Sequence, residues 1–299
     1  MIDLSVQSHG ITDRGRVRSH NEDQFLIAAL TRVMTVSQTS LSQPSALLGD
    51  HRGHLFVVAD GIGGHKGGEQ ASALAVATIE QFMLNTLKWF FSLQGANILA
   101  EFKRALRRAD ARIFDAAAEH PELQGMGTTL TMAYAVDGAL YVVHAGDSRC
   151  YLFRQGRLHQ LTHDHTVTSE MVREGALTLS EAATSPFRNV LTNAVGGRDV
   201  GVHAEVQKLE LADGDVALLC SDGLSDMLVD GDIAAILAAA PSPADACARF
   251  VADANAAGGS DNITAIVARF AGDAVATARA PETATAASIA PELQVTGSG

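Results

Sequence analysis

The sequence predicts an α+β fold in which layers of antiparallel sheet pack against helices, and three observations carry that expectation. Apolar runs flank short turn signals, residues 128–136 and 139–147 around Asp137-Gly138, and residues 150–154 and 157–162 around Gln155-Gly156, so hairpins are expected there. Helical apolar spacing is gathered into blocks, one over residues 71–119 and one of two short Ala-rich helices ending near Ala257. A doubly wound parallel sheet needs strands and helices in strict alternation, and they do not alternate here.

In chain order, residues 2–27 read as two strands joined by a polar turn, the second entered at Asp23. Residues 31–53 are rich in Ser, Thr and Gln without sustained periodicity, and are expected as a long inserted loop. Residues 55–69, LFVVADGIGGHKGGE, begin as a buried-strand run, present Asp60 at its end, and pass into five glycines among the eight residues 61–68, expected as a loop. Ala73, Leu74, Ala77, Ile79, Phe82 and Met83 then mark a helix over residues 71–84, which can continue to Phe91. The apolar cluster around Trp89, the sole tryptophan, must be covered, by the core or by a partner. A second helix is expected over 97–119, stopped by Pro121 and Gly125. After the two hairpins, residues 166–193 are more polar and helical in patches, expected as an appendage over one end of the sheet. A third hairpin is expected from residues 202–211 and 215–222 around Asp213-Gly214, and the last strand from residues 262–270. The tail from residue 271, Ala/Thr/Pro-rich and without aromatics, is expected to be disordered.

The chain has 299 residues, 47% of them apolar, which is enough to bury a core. Its formal net charge of −12 disfavours nucleic acid and anionic membrane and leaves carboxylates available to cations. Cys150, Cys220 and Cys247 are far apart, with neither CxxC spacing nor an even count, and read as buried thiols of a reducing compartment. With no leader-like start and no apolar run of roughly 18 residues, the expected location is cytoplasmic.

One pattern recurs with different neighbours. Apolar runs end in an aspartate at Asp60, Asp147 and Asp222, and the final strand is entered through Asp261. If these ends share one edge, Asp60, Asp222 and Asp261 form an acidic cluster, which Glu22 and Asp23 can join. Carboxylates so placed repel one another and call for cations. An all-oxygen donor set suits Mg²⁺ or Mn²⁺ rather than Zn²⁺. Paired ions about 3.5–4 Å apart activate water and clamp an in-line displacement at phosphorus. Arg18 offers the forked donor that a phosphate dianion needs. Phosphate-ester hydrolysis is the chemistry this set fits.

The segments RSHNED (18–23), VVADGIGGH (57–65), GTT (127–129), HAGDSR (144–149), LTHDHT (161–166), LTNAVG (191–196), CSDGLSD (220–226) and SDNIT (260–264) together resemble the metal-dependent protein phosphatase 2C family, most of all its bacterial serine/threonine phosphatases. The resemblance runs over residues 10–270 in family order. It implies a central sandwich of two antiparallel sheets flanked by antiparallel helices. It further implies that Asp60 bridges two metals, that the Gly61 carbonyl and Glu22 bind one and Asp222 and Asp261 the other, and that Asp23 acts through water. Arg18 would hold the phosphate, and Asp147 with Asp222 a third metal. The implied boundaries are a catalytic domain over 1–270, with residues 166–193 as a flap beside the substrate groove, and a tail over 271–299. The implied cofactors are Mn²⁺ or Mg²⁺, two per site with room for a third. The implied partners are phosphorylated proteins, substrates of a cognate serine/threonine kinase, met by a monomer.

Ile62 departs from the pattern, because many eukaryotic relatives carry a histidine there as candidate general acid; His65 is the nearby alternative. His163, Asp164 and His165 lack a third ligand in local sequence and read as a hydrogen-bonded turn. Asn262 reads as an orienter of its loop. No cysteine is followed six positions later by Arg, and no GxSxG elbow occurs, so thiolate-phosphatase and serine-hydrolase designs are unsupported. An inactive, phosphoprotein-binding relative and a dedicated regulator of one phosphorylated switch protein remain as alternative readings.

Overall fold

A computed structural model describes residues 4–31, 52–64, 66–86, 96–197 and 201–272. One five-stranded sheet runs β1 (Leu4–Asp13), β13 (Ile263–Gly272), β12 (Val216–Cys220), β8 (Arg149–Arg154), β9 (Arg157–Gln160). The other runs β11 (Glu205–Glu210), β7 (Ala139–Ala145), β6 (Leu130–Val136), β3 (Arg52–Ala59), β2 (Gln24–Thr31), and every ladder is antiparallel. A short ribbon of β10 (Val195–Gly196), β5 (Gly127–Thr128) and β4 (Gly61–Ile62) lies beside the end of β3.

The two sheets face each other, and helices cover their outer faces. The unbroken run in β3 is explained by this arrangement, since a strand buried on both sides has no solvent face to alternate with. Phe56 and Val58 point into the inter-sheet core with Ala133, Leu219, Ile266 and Phe270. Leu55, Val57 and Ala59 point outward, against Ala75 and Ile79 of α1 (Lys66–Thr86) and Phe102, Leu106 and Ile113 of α2 (Ala96–Glu119). On the opposite face, Leu218 and Val267 pack with Leu224 of the short turn α5 (Asp222–Ser225), Ile233 and Leu237 of α6 (Asp230–Ala239) and Phe250 of α7 (Pro243–Ala256). The polar appendage carries α3 (Val167–Arg173) and α4 (Leu179–Thr184), each started by a threonine cap, Thr166 and Thr178. Its base is closed by Val167 N–H to the Val190 carbonyl at 2.9 Å and Thr192 N–H to the His165 carbonyl at 2.9 Å.

Several expectations need correction. The hairpin around Asp213-Gly214 does not form: β11 pairs with β7 and β12 with β13 and β8, so this turn crosses from one sheet to the other. Asp215 in that crossing is buried and held by Arg154, with Nε–Oδ1 at 2.7 Å. The glycine stretch is not a loop throughout, because α1 begins at Lys66 and carries Gly67 and Gly68 in its first turn. The expected insertion is shorter at both ends, since Thr31 pairs with Arg52 and Leu30 with Gly53. The rest of that insertion, the Trp89 cluster, His65 and the tail beyond Gly272 lie outside the described residues. The last strand extends to Gly272, two residues past the expected Phe270.

Candidate metal-binding active site

Of the expected metal- and phosphate-binding residues, all but Asp23 line one cleft of about 650 Å³ at one end of the sandwich: Arg18, Glu22, Asp60, Gly61, Asp147, Asp222 and Asp261. Fold geometry explains the convergence. β3 delivers Asp60 from one sheet, β12 delivers Asp222 from the other, and Asp261 enters β13 beside it. Asp147 stands in the connection from β7 to β8, where the chain passes between sheets. Asp23 is buried directly behind, its Oδ2 accepting from Ser221 Oγ at 2.7 Å and Thr264 Oγ1 at 2.6 Å.

The backbone around the acids is fixed by Thr128, Thr129, Ser148, Asn262 and Ser72, of which only Asn262 is expected from sequence to orient a loop. The Asp60 amide donates to Thr129 Oγ1 at 3.0 Å, and the Asp60 carbonyl accepts from Thr128 Oγ1 and the Thr129 amide, each at 2.8 Å. Thr129 Oγ1 lies 2.7 Å from Ser148 Oγ, which ties the Asp60 turn to the residue after Asp147. Asn262 clamps the 14–22 segment: its Oδ1 accepts from the Glu22 amide at 2.8 Å and its Nδ2 donates to the Arg14 and His20 carbonyls, each at 2.9 Å. The Ser72 hydroxyl of α1 donates to the Glu22 carbonyl at 2.6 Å. Gly68 is required by this approach, because a Cβ there would collide with Oε2 of Glu22, and a Cβ at Gly61 would collide with the Gly68 carbonyl. A glycine pair opening a helix next to an Asp-Gly turn was the available signal.

Electrostatics marks the cluster as incomplete by itself. Burial first, and then the neighbouring charges Asp23, Asp222 and Asp147, hold the Asp60 carboxyl well above the usual carboxylate range. Asp222 is raised likewise by burial, then Asp147 and Asp261. Asp23 is pushed up to about 6 by burial, against the hydrogen bonds from Thr264 and Ser221. Asp147 is pushed up to about 7 by burial and by Asp164. Among the described residues, the buried Oδ1 atoms of Asp23 and Asp222 accept no hydrogen bond. Buried carboxylates that repel, two oxygens without donors, a glycine gap filled by Glu22 and an all-oxygen donor set fit hard divalent cations. Arg18 is the cation at the rim, Nη2 on Asp261 Oδ2 at 2.6 Å, with its side chain 55% exposed. Ile62 lines the cleft where a histidine acid would stand.

The 163–165 segment is held by side-chain hydrogen bonds as expected, but it is irregular chain rather than a turn, and the fold adds partners that local sequence lacks. Asp164 takes Arg149 bidentately, with Nε–Oδ1 at 2.9 Å and Nη2–Oδ2 at 2.6 Å. Glu205, on the edge strand β11, meets His163 and His165. The free thiols Cys150, Cys220 and Cys247 are all buried, and none of them lines the cleft.

A two-sheet sandwich with helices outside and carboxylates gathered at one end is the architecture of a known class, and this chain belongs to the protein phosphatase 2C family, whose model matches residues 42–283. The segment from Arg18 to Asp23 precedes that span. A serine/threonine phosphatase named stp from Listeria welshimeri is 32% identical over 256 residues, 86% of this chain and 92% of that protein. The serine/threonine protein phosphatase PstP of Mycobacterium tuberculosis is 35% identical over 267 residues, 89% of this chain, which spans only 45% of PstP's length. Among solved structures, the M. tuberculosis PstP/Ppp phosphatase aligns over 89% of this chain and 98% of its own with a TM-score of 0.72 at 33% identity. The catalytic domain of PstP in complex with two manganese ions aligns over 90% of this chain and 100% of its own, with a TM-score of 0.71 at 33% identity.

Proposed function

We propose that this protein is a metal-dependent serine/threonine protein phosphatase that hydrolyses phosphoserine and phosphothreonine by direct attack of water, using Mn²⁺ or Mg²⁺. The observation that carries this reading is the convergence of Glu22, Asp60, Asp222 and Asp261 on one cleft from four separate chain segments. Glu22, Asp60, the Gly61 carbonyl, Asp222 and Asp261 would hold two cations, and Asp147 with Asp222 would hold a third. Bound divalent ions supply the Lewis acidity that ionises water near neutral pH and offsets charge at phosphorus.

The chain's own residues do the remaining work. Asp23 orders solvent from behind the cluster, its own orientation set by Ser221 and Thr264. Arg18 would hold the phosphate: its guanidinium rests on Asp261 at the rim of the cleft and offers a forked donor to the substrate dianion. Ile62 has no proton to give, so protonation of the leaving alkoxide falls to water or to another group, His65 being the nearby alternative in sequence. The 166–193 flap, with Asn189, Leu191, Thr192 and Asn193 on the cleft wall, borders the protein substrate. The catalytic unit reaches Gly272, where the last strand ends, acts as a monomer in a reducing cytoplasm, and reverses a serine/threonine kinase. Among the described residues, no helix is long and apolar enough to cross a membrane.

The test is turnover of a chromogenic phosphate ester and a phosphothreonine peptide with added Mn²⁺. Wild type turns both over, and Asp60→Asn or Asp222→Asn abolishes it. Activity that persists in EDTA contradicts the reading, and a folded chain that binds phosphopeptide without turnover is the inactive binding module instead.

A further inference from the structure

His165 stands where the flap leaves the body, two residues before α3, and its ring is shared by three parts of the molecule. Its Nδ1 lies 3.1 Å from the Gly146 amide nitrogen and 3.1 Å from Asn193 Nδ2. A backbone amide only donates. The orientation of the Asn193 amide is fixed independently, because its Oδ1 accepts from the His203 amide at 3.0 Å and its Nδ2 donates to the His203 carbonyl at 2.7 Å. Both neighbours of Nδ1 are therefore donors, and Nδ1 is the unprotonated nitrogen of a neutral ring. The ring proton sits on Nε2, facing Glu205 Oε2 at 3.5 Å, while Glu205 Oε1 accepts from His163 Nδ1 at 3.0 Å. The backbone repeats the connection, with the His165 amide donating to the Gly146 carbonyl at 2.7 Å.

His144, His165 and Glu205 offer ligand atoms within 4.8 Å of one another, close enough to suit a cation. The proton positions say otherwise. A ligating Nε2 must be bare, which moves the His165 proton to Nδ1 and against two N–H donors, and His144 Nε2 is already engaged at 3.0 Å by the His163 carbonyl. What the ring does touch is Gly146, immediately before Asp147, and Asn193, on the cleft wall. Gly146 has φ 117°, a conformation open to glycine that side chains rarely adopt, and its amide is held there by the His165 ring.

We infer that His165 is a positioning residue: one imidazole, its bare Nδ1 set by the Gly146 amide and Asn193 and its Nε2 facing Glu205, fixes the Gly146-Asp147 bend against the base of the flap and so aims Asp147 into the cleft. This rests on the assignment of Asp147 to the third cation made above.

The test is calorimetric titration of Mn²⁺ into the full metal-free chain, beside steady-state kinetics on a chromogenic phosphate ester. Asp147→Asn should remove the weakest Mn²⁺ step. His165→Leu, which deletes the acceptor, should weaken that same step by roughly 10-fold or more, leave the tighter steps in place, and raise the Mn²⁺ needed for half-maximal activity while KM for the ester stays within about twofold. His165→Asn, which keeps an acceptor near the Nδ1 position, should recover most of the loss. Glu205→Ala should move the weak step in the same direction by a smaller factor, and it carries the test should His165→Leu fail to fold. Wild-type Mn²⁺ binding in both His165→Leu and Glu205→Ala overturns the inference, as does a Zn²⁺ step in wild type that His165→Leu removes. If Asp147→Asn removes the weak step and the His165 variants do not touch it, this inference alone fails; if Asp147→Asn leaves the step intact, the Asp147 assignment fails and takes the inference with it.

Discussion

Gly68 shows how much of the candidate site depends on atoms that are missing by design. A methyl group there meets Oε2 of Glu22, so Gly68→Ala should displace that carboxylate and reduce Mn²⁺ affinity by about 10- to 100-fold, with helix α1 itself strengthened. Mn²⁺ titration with a thermal melt checks this, and an unchanged affinity contradicts the proposed role of Glu22. Thr129→Val tests the scaffold instead, since it removes the hydroxyl that accepts from the Asp60 amide and meets Ser148. A loss of about 1–3 kcal/mol in unfolding free energy is expected, from leaving a buried donor unpaired, with lower kcat at saturating metal. At this scale the sequence was informative where a residue type has few reasons to be present. An acid at the end of an apolar run, as at Asp60 and Asp222, could be singled out; Thr129, Ser148 and Glu205 could not, because each acts through a partner that only the fold supplies.

Strands and helices were legible where burial is uniform and misread where connection matters. β3 is apolar on both faces and was recognised as buried, and its Phe56, fully buried between the sheets, should cost about 3–5 kcal/mol as Phe56→Ala by urea unfolding. A smaller loss would mean that the inter-sheet layer is not close-packed there. The Asp213-Gly214 turn carried the same signal as Asp137-Gly138, yet only the latter joins paired strands. The difference lay in the flanks: β12 is buried throughout, whereas β11 alternates and is partly exposed at a sheet edge. The start of α1 was misplaced for a physical reason, since Gly67 and Gly68 have low helix propensity and are tolerated because Glu22 and Gly61 need the space.

For the molecule as a whole, the acid cluster makes stability depend on pH and metal together. Asp23 and Asp147 have folded values of about 6 and about 7 against an ordinary 3.8, so between those limits the folded chain holds protons that the unfolded chain has released. Without metal, their contribution to stability is full below about 3.8 and is lost as pH rises through about 6 to 7. His144 works in the opposite sense: burial and then His165 lower it from 6.5 to about 4, so its contribution is present above 6.5 and lost as pH falls toward 4. Divalent cations displace the protons held by the acids, and the rise in Tm on adding Mn²⁺ should therefore be larger near pH 7.5 than near pH 5.5. Equal shifts at both values would mean that the acids do not hold the metal.

The most direct measurement is the number of Mn²⁺ ions retained per chain after equilibrium dialysis at neutral pH, by elemental analysis, for wild type and Asp60→Asn. About two tightly held ions in wild type, and their loss in the folded variant, are predicted. A wild-type chain that retains none, or a variant that retains as many, would contradict a catalyst built on these acids.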